Sequence, residues 1–380
     1  MPDQISPDCG QEDIIDSGVS GKHRDGSRVL PDYVVIMLGA AVTLAVLLLM
    51  RQFSGIIGPV FMALNLVIAA YPINRWLRSK GTPGWLAASV MVIAVIVILL
   101  CLVFGLIWAI SAMVSELPKY SAQYINLYNS ALDLLAHYGI KTSGISDLLQ
   151  LINPSSVVAV LSSVLSSATA ITVVVVVIVT TLVFMAMDVP TVRQRRRTIT
   201  SNYPRLGWSL GHFTVNARRY WVVTTIFGAL LAILDGIALA IMGIPLAPVW
   251  ALLVFLANFI PSIGFLIGLT PPTLFALLGG GWQLALAVVI VFSVLTFIVT
   301  MLIQPRVVGE TVGVTPTTGF VSLLLWGTVL GPLGALLAVP MTLLLKALFV
   351  DGEPKAAWVG AIISMERSKP RSKPRAKPSS

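Results

Sequence analysis

Apolar residues run along this chain in blocks far longer than a soluble helix needs, separated by short polar or basic stretches. A helix takes about 20 apolar residues to cross a hydrocarbon core. That ruler places eight spans, near residues 33–50, 56–73, 85–110, 168–187, 221–242, 250–278, 282–303 and 318–350. The pattern therefore predicts an all-α, polytopic integral membrane protein, with spans 1–3 in 33–110 and spans 4–8 in 168–350. Residues 111–167 are too polar to span. Their apolar positions Leu117, Tyr120, Tyr124, Leu127, Ala131, Leu134 and Leu135 recur at helical spacing, which predicts an amphipathic helix. Gly139, Gly144 and Asn153-Pro154 break the stretch. The expectation is a small helical extracytoplasmic insert, either capping the bundle or lying on the membrane surface.

Composition supports the same class. Of 380 residues, 57% are hydrophobic and 11% charged, whereas a soluble domain carries roughly 25% charged residues. So little charge cannot cover a water-facing surface, and lipid is the implied outer solvent. The formal net charge is +9, but its placement points to topology and anionic lipid rather than to nucleic acid. Arg75, Arg78 and Lys80 follow the second span; Arg193, Arg195, Arg196, Arg197, Arg205, Arg218 and Arg219 lie in or beside a basic linker, 188–220; Lys369, Arg371, Lys373, Arg375 and Lys377 crowd the end. With an even number of spans all these runs share the side of the N-terminus, so both termini are expected in the cytoplasm of a bacterial plasma (inner) membrane. Residues 1–32 are polar, without the apolar core of a cleavable signal. That tail and the basic, Ser-Lys-Pro-bearing tail at 351–380 are expected to be disordered. Cys9 and Cys101 lie in unlike surroundings and predict no disulfide.

The informative residues are helix breakers inside apolar sequence. One stretch runs Asn258-Phe259-Ile260-Pro261-Ser262-Ile263-Gly264, then Gly268 and Thr270-Pro271-Pro272; a second runs Gly331-Pro332-Leu333-Gly334, with Pro340 behind it. Proline removes a backbone donor and displaces the carbonyl four residues back. In lipid such groups must meet protein or a water-filled cavity, and broken helices at membrane depth are where secondary transporters place their sites. A packed kink is the competing role for any single proline. The candidate solute-contacting residues are Asn258, Pro261, Ser262, Gly264, Gly331, Pro332 and Gly334, with broken segments near 258–272 and 331–340.

Asp235 is the one carboxylate well inside a predicted span. A charge at that depth costs at least about 2.5–3.5 kcal/mol, so it needs a partner, water or a proton. It is the candidate ion or proton group, the other role being a neutral, hydrogen-bonded acid. Asn65 reads as interhelical glue.

The stretch Leu256-Ala257-Asn258-Phe259-Ile260-Pro261-Ser262-Ile263-Gly264 resembles the Asn-x-Ile-Pro-x-Ile-Gly signature of the autoinducer-2 exporter family, also described as PerM-type permeases. Gly243-Ile244-Pro245-Leu246-Ala247, Gln304-Pro305-Arg306-Val307-Val308-Gly309, Val314-Thr315-Pro316 and the closing run Gly331 to Pro340 are similar to further motifs of that family. The likeness extends over roughly 34–349. It implies eight spans, a helical extracytoplasmic insert, homo-oligomeric assembly with a pentamer as the expected size, and transport of small solutes, including export of autoinducer-2 in some members and sodium–proton antiport in others. Two departures stand out: Thr296 and Thr300 where members often carry an acidic or amide residue, and Thr315-Pro316 where His-Pro is usual.

The expected function is secondary export of a small polar solute. A cation–proton antiporter using Asp235 is the alternative within transport, and a non-transporting membrane scaffold is the alternative outside it. No enzyme is expected, since neither a phosphate-binding G-x-x-x-x-G-K-[ST] loop nor H-E-x-x-H occurs. No cofactor, metal or nucleic-acid partner is expected; the expected partners are a small-molecule solute, membrane lipid and further copies of the chain.

Overall fold

The computed structural model describes residues 32–137, 154–166, 168–308 and 315–350. The expectations for the two tails, for the breakers Gly139 and Gly144, and for Gly309 lie outside those residues. Every regular element described is helical. α1 spans Asp32–Gln52, α2 Ser54–Ser79 and α3 Gly84–Glu116; a 3₁₀ turn, Leu117–Tyr120, leads into α4, Ser121–His137. α5 is Pro154–Ser166, α6 Ala168–Asn202, α7 Pro204–Ile241, α8 Ala247–Ala257 and α9 Gly264–Phe297. A π-helical segment, Ile298–Ile303, continues α9 into α10, Gln304–Val308; α11 is Pro316–Leu336 and α12 Ala338–Leu345, followed by a second π segment, Lys346–Val350. The chain divides into two compact units between Leu47 and Leu48. The first holds most of α1, whose Met37, Leu38, Val42 and Leu44 are exposed. The second holds everything that follows.

Six helical runs are long and apolar enough to cross a membrane: Ser54–Ser79, Gly84–Leu127, Ala170–Asp188, Pro204–Ile241, Gly264–Arg306 and Pro316–Leu336. Three shorter apolar helices, Met37–Gln52, Ala247–Ala257 and Ala338–Phe349, accompany them. The expected spans at 250–278 and 318–350 are therefore not single straight rods, and the physical reason lies in their breakers.

The first of these stretches folds back on itself. α8 stops at Ala257, residues 258–263 form turns, and α9 starts at Gly264. A Cβ added at Gly268 would sit 3.2 Å from Val254 Cγ2, and one at Gly264 would collide with the Ala257 carbonyl oxygen. Val254 and Gly268 would lie about 21 Å apart in a continuous helix at 1.5 Å per residue, so their contact requires two antiparallel arms. α9 itself changes direction at Gly281, whose φ of 76° and ψ of −173° suit only glycine.

The second stretch does the same. α11 is interrupted at Gly331, with φ 67° and ψ −149°, and the Gly334 Cα lies against the Trp326 carbonyl. The Ser322 hydroxyl reaches the Ala338 carbonyl at 2.6 Å and the Thr342 hydroxyl at 2.5 Å, while Trp326 Nε1 donates to Thr342 Oγ1 at 3.2 Å. These bonds tie α11 to α12 side by side. The start of α11 is capped locally: Thr315 Oγ1 accepts from the Thr318 amide at 3.2 Å and Pro316 occupies the first turn.

Polar side chains join α2 to α7. Buried Asn65 accepts from Trp221 Nε1 at 3.1 Å and donates to the Phe61 carbonyl at 2.9 Å. Pro72 has no N–H for the carbonyl of Ile68, four residues back, and Arg218 Nε donates to that carbonyl at 3.1 Å. A proline inside a membrane helix is thus satisfied by a neighbouring side chain, as lipid demands.

Candidate functional site

α8 is 11 residues long, about 16 Å at helical rise and half of a hydrocarbon core of about 30 Å. Its entry is fixed by a glycine cap. Gly243, at φ 72°, and Ile244 donate backbone N–H groups to the carbonyls of Ala240 and Leu239, closing α7. Buried Trp250 then donates Nε1 to the Pro245 carbonyl at 2.8 Å. α8 lies between two faces of small residues. On α7, a Cβ at Gly228 would come within 2.7 Å of Asn258 Nδ2, and one at Gly236 within 2.8 Å of Ala251 Cβ. On α9, Gly264 and Gly268 give the same close approach. Such small-residue faces let backbones pack without side chains between them.

The turn at 258–263 satisfies most of its own backbone. The amides of Asn258, Phe259, Ile260, Ile263 and Gly264 donate to the carbonyls of Val254, Leu256, Ala257, Pro261 and Ile260. Two bonds hold the turn to α7: Asn258 Nδ2 donates to the Thr224 carbonyl at 3.0 Å, and the Tyr220 hydroxyl to the Phe259 carbonyl at 3.1 Å. Ser262, at the tip, has φ 64°. A non-glycine residue in the left-handed region carries strain of order 1–3 kcal/mol, and such strain gathers at functional sites.

Beside this tip is a cavity of about 190 Å³. It is lined by Leu231 and Asp235 of α7, Val254 of α8, Asn258, Ile260, Pro261 and Ser262 of the turn, Gly264, Phe265, Gly268, Phe292 and Thr296 of α9, and Thr300 of the π segment. Asp235 is 1% exposed, and its Oδ1 has no hydrogen-bond partner among the described residues. The Thr300 hydroxyl donates to the Thr296 carbonyl at 2.5 Å, within a π turn of the kind that often marks functional positions.

Of the residues singled out in the sequence, Asn258, Pro261, Ser262, Gly264 and Asp235 meet at this one cavity. Gly331, Pro332 and Gly334 are not among its lining residues; they make the turn of the second hairpin, where Leu333 packs within 3.5 Å of a Cβ placed at Gly58 on α2. The two hairpins nevertheless touch, since a Cβ at Gly319 on α11 would lie 3.7 Å from Pro261 Cβ. Nothing in the sequence singles out the lining residues Leu231, Val254 or Phe292, and Thr296 and Thr300 stand out there only as departures from a motif. One available signal was the spacing Gly228, Ala232, Gly236 on α7, which marks the face that α8 approaches and puts Asp235 beside it.

Comparison with known proteins agrees with the helical, apolar architecture. The family model described as AI-2E family transporter matches residues 34–352. The chain is 27% identical over 312 residues to the "Putative transport protein YhhT" of Escherichia coli K12, covering 82% of this chain and 89% of that protein. It is 26% identical over 313 residues to the AI-2 transport protein TqsA of the same organism, covering 82% and 90%. A Mycobacterium tuberculosis protein also named as a putative transport protein is 29% identical over 325 residues, covering 80% and 85%.

Proposed function

The chain belongs to the AI-2E family of transporters, and from that premise we propose that it is a secondary exporter whose small polar solute is held in the cavity at the tip of the first hairpin. The observation that carries this reading is the meeting of an unpartnered buried carboxylate oxygen, Asp235 Oδ1, with a strained turn in one cavity. Buried polar atoms without partners are rare in folded proteins and call for a ligand, a water or a function. A cavity of about 150 Å³ takes up benzene, so about 190 Å³ suits a small ring with a few substituents. One relative is named for AI-2 transport, and a quorum-sensing signal of that kind is the proposed cargo.

The fold also offers a way to alternate access. With α3 and Ala168–Asn202 (α6) as the two crossings between them, the basic runs at 75–80 and 188–220 stay on one side, taken as cytoplasmic; α7 then crosses outward and the second arm of α9 returns. The first hairpin then enters the membrane from the extracytoplasmic side and the second from the cytoplasmic side. Opposed half-membrane hairpins around a midplane site match the general design of secondary transporters, in which one part moves against another. Movement of the first tip would open the cavity to one face.

Solute accumulation in inverted membrane vesicles tests this reading. Asn258→Ala removes the bond to the Thr224 carbonyl and a cavity amide, and it is expected to lower the initial rate about tenfold at equal protein content. Equal rates would remove Asn258 from the site.

The same carboxylate supports a second reading, cation–proton exchange at Asp235. In that case Asp235→Asn abolishes pH-driven sodium exchange in proteoliposomes, and unchanged exchange rejects it.

A further inference from the structure

The lining of the cavity is unbalanced in its charged groups, with one acid and no cation. Asp235 presents a buried carboxylate oxygen with no donor on it among the described residues. Thr300 commits its hydroxyl proton to the Thr296 carbonyl, so its oxygen keeps lone pairs. Asn258 commits an Nδ2 proton to the Thr224 carbonyl. The amides of 258, 259, 260, 263 and 264 already donate to nearby carbonyls and Pro261 has none, which leaves the Ser262 amide as the turn's free backbone donor among the described residues. No Lys, Arg or His is among the lining residues.

A helix N-terminus ordinarily attracts anions through its free N–H groups. Here that property is opposed. α9 begins at Gly264; the amides of Gly264 and Ile267 bond to the carbonyls of Ile260 and Ile263, which leaves those of Phe265 and Leu266 in the first turn. A carboxylate close by adds repulsion, which a low-dielectric setting strengthens.

We infer that the cavity selects by charge: it admits solutes that bring hydrogen-bond donors, neutral polyhydroxylated or ammonium-bearing molecules alike, and it rejects anions, with Asp235 as the residue that sets the preference. The inference rests on the reading of this cavity as the solute site, and it narrows the class of solute that fits there. A phosphorylated or carboxylated derivative of a transported solute would be excluded, because it meets the Asp235 carboxylate in a lining with no cationic side chain.

The test reads the cavity's charge preference without requiring a known cargo. In a chain carrying Cys9→Ser and Cys101→Ser, a single thiol is introduced by Ser262→Cys and, separately, by Thr300→Cys. Each thiol is reacted in mildly alkaline buffer with a matched pair of methanethiosulfonates, one bearing trimethylammonium and one bearing sulfonate. The two rates are divided and compared with the same quotient for 2-mercaptoethanol. The expected result is a cationic preference about tenfold above the free-thiol reference, collapsing to the reference with Asp235→Asn and retained with Asp235→Glu. A quotient at or below the reference, one that Asp235→Asn leaves unchanged, or no reaction at either position overturns the inference. Solute transport measured on the cysteine-containing chain separates the two claims. Transport that Asn258→Ala impairs, with no charge preference, leaves the transport reading standing and removes this one. A charge preference without any transport removes the transport reading and, with it, this inference, which rests on that reading.

Discussion

Two helical hairpins in this chain are built from the same parts and put to different use. Each reverses at a glycine- and proline-bearing turn, and in each a glycine of the turn lies against a backbone carbonyl of the first arm: Gly264 against Ala257, Gly334 against Trp326. In the second hairpin the buried polar groups face one another. Ser322, Thr342 and Trp326 bond across the arms, and the turn leans on α2 through Leu333. In the first hairpin the polar groups face outward to α7 and to a cavity, where an Asp235 oxygen stays without a partner among the described residues. Breakers in a membrane helix therefore do not by themselves mark a binding site. What separates a site from a packed turn is whether the polar groups close on each other.

The largest effect should be common to both hairpins. Gly264→Ala and Gly334→Ala each push a methyl group into a backbone carbonyl, which cannot move as a flexible side chain would. Each is expected to cost about 3 kcal/mol or more, read as loss of monodisperse protein on detergent extraction. Normal yield and melting temperature for either variant would show that its turn is looser than described.

A smaller change should split the pair. Ser322→Ala leaves the Ala338 carbonyl and the Thr342 hydroxyl short of a partner and is expected to destabilise by about 1–3 kcal/mol, seen as a lower melting temperature. The apparent KM for solute should stay within about twofold, since Ser322 is not among the residues that line the cavity; a severalfold rise in KM would place solute at the second hairpin. The smallest effect is expected from Ser262→Gly. It relieves a left-handed serine but adds freedom to the unfolded chain, so the net gain in stability should be under about 1 kcal/mol. Solute affinity should fall, because the tip that lines the cavity is less fixed. A clear loss of stability would show that the serine side chain, rather than its backbone, holds the tip.

The sequence made the interruptions legible and left their direction hidden. Pro261 and Gly264, or Gly331 and Gly334, declare that a helix cannot run straight, because a donor is missing or a left-handed residue is allowed. They do not say whether the chain bends or reverses. Reversal depends on Gly268 meeting Val254 and on Ser322 meeting Ala338 and Thr342, contacts between arms that no periodicity announces. That is why the lengths of 29 and 33 residues, at 250–278 and 318–350, look like single spans in the sequence. Asp235 was legible as costly but not as sharing a cavity with Asn258, because the stretch 226–241 of α7 is otherwise apolar all round. Only the Gly228, Ala232, Gly236 spacing marked the facing side. Thr296 and Thr300 were invisible as lining, since a π turn re-aims side chains without a sequence signature.

The account stands on solute being held at the tip of the first hairpin and not at the second. Cryo-electron microscopy of the protein in lipid nanodiscs, saturated with a solute it transports, tests this directly. The predicted result is added density bounded by Asp235, Asn258, Ser262, Thr296 and Thr300. Density between Leu333 and α2, with that cavity empty, would contradict it.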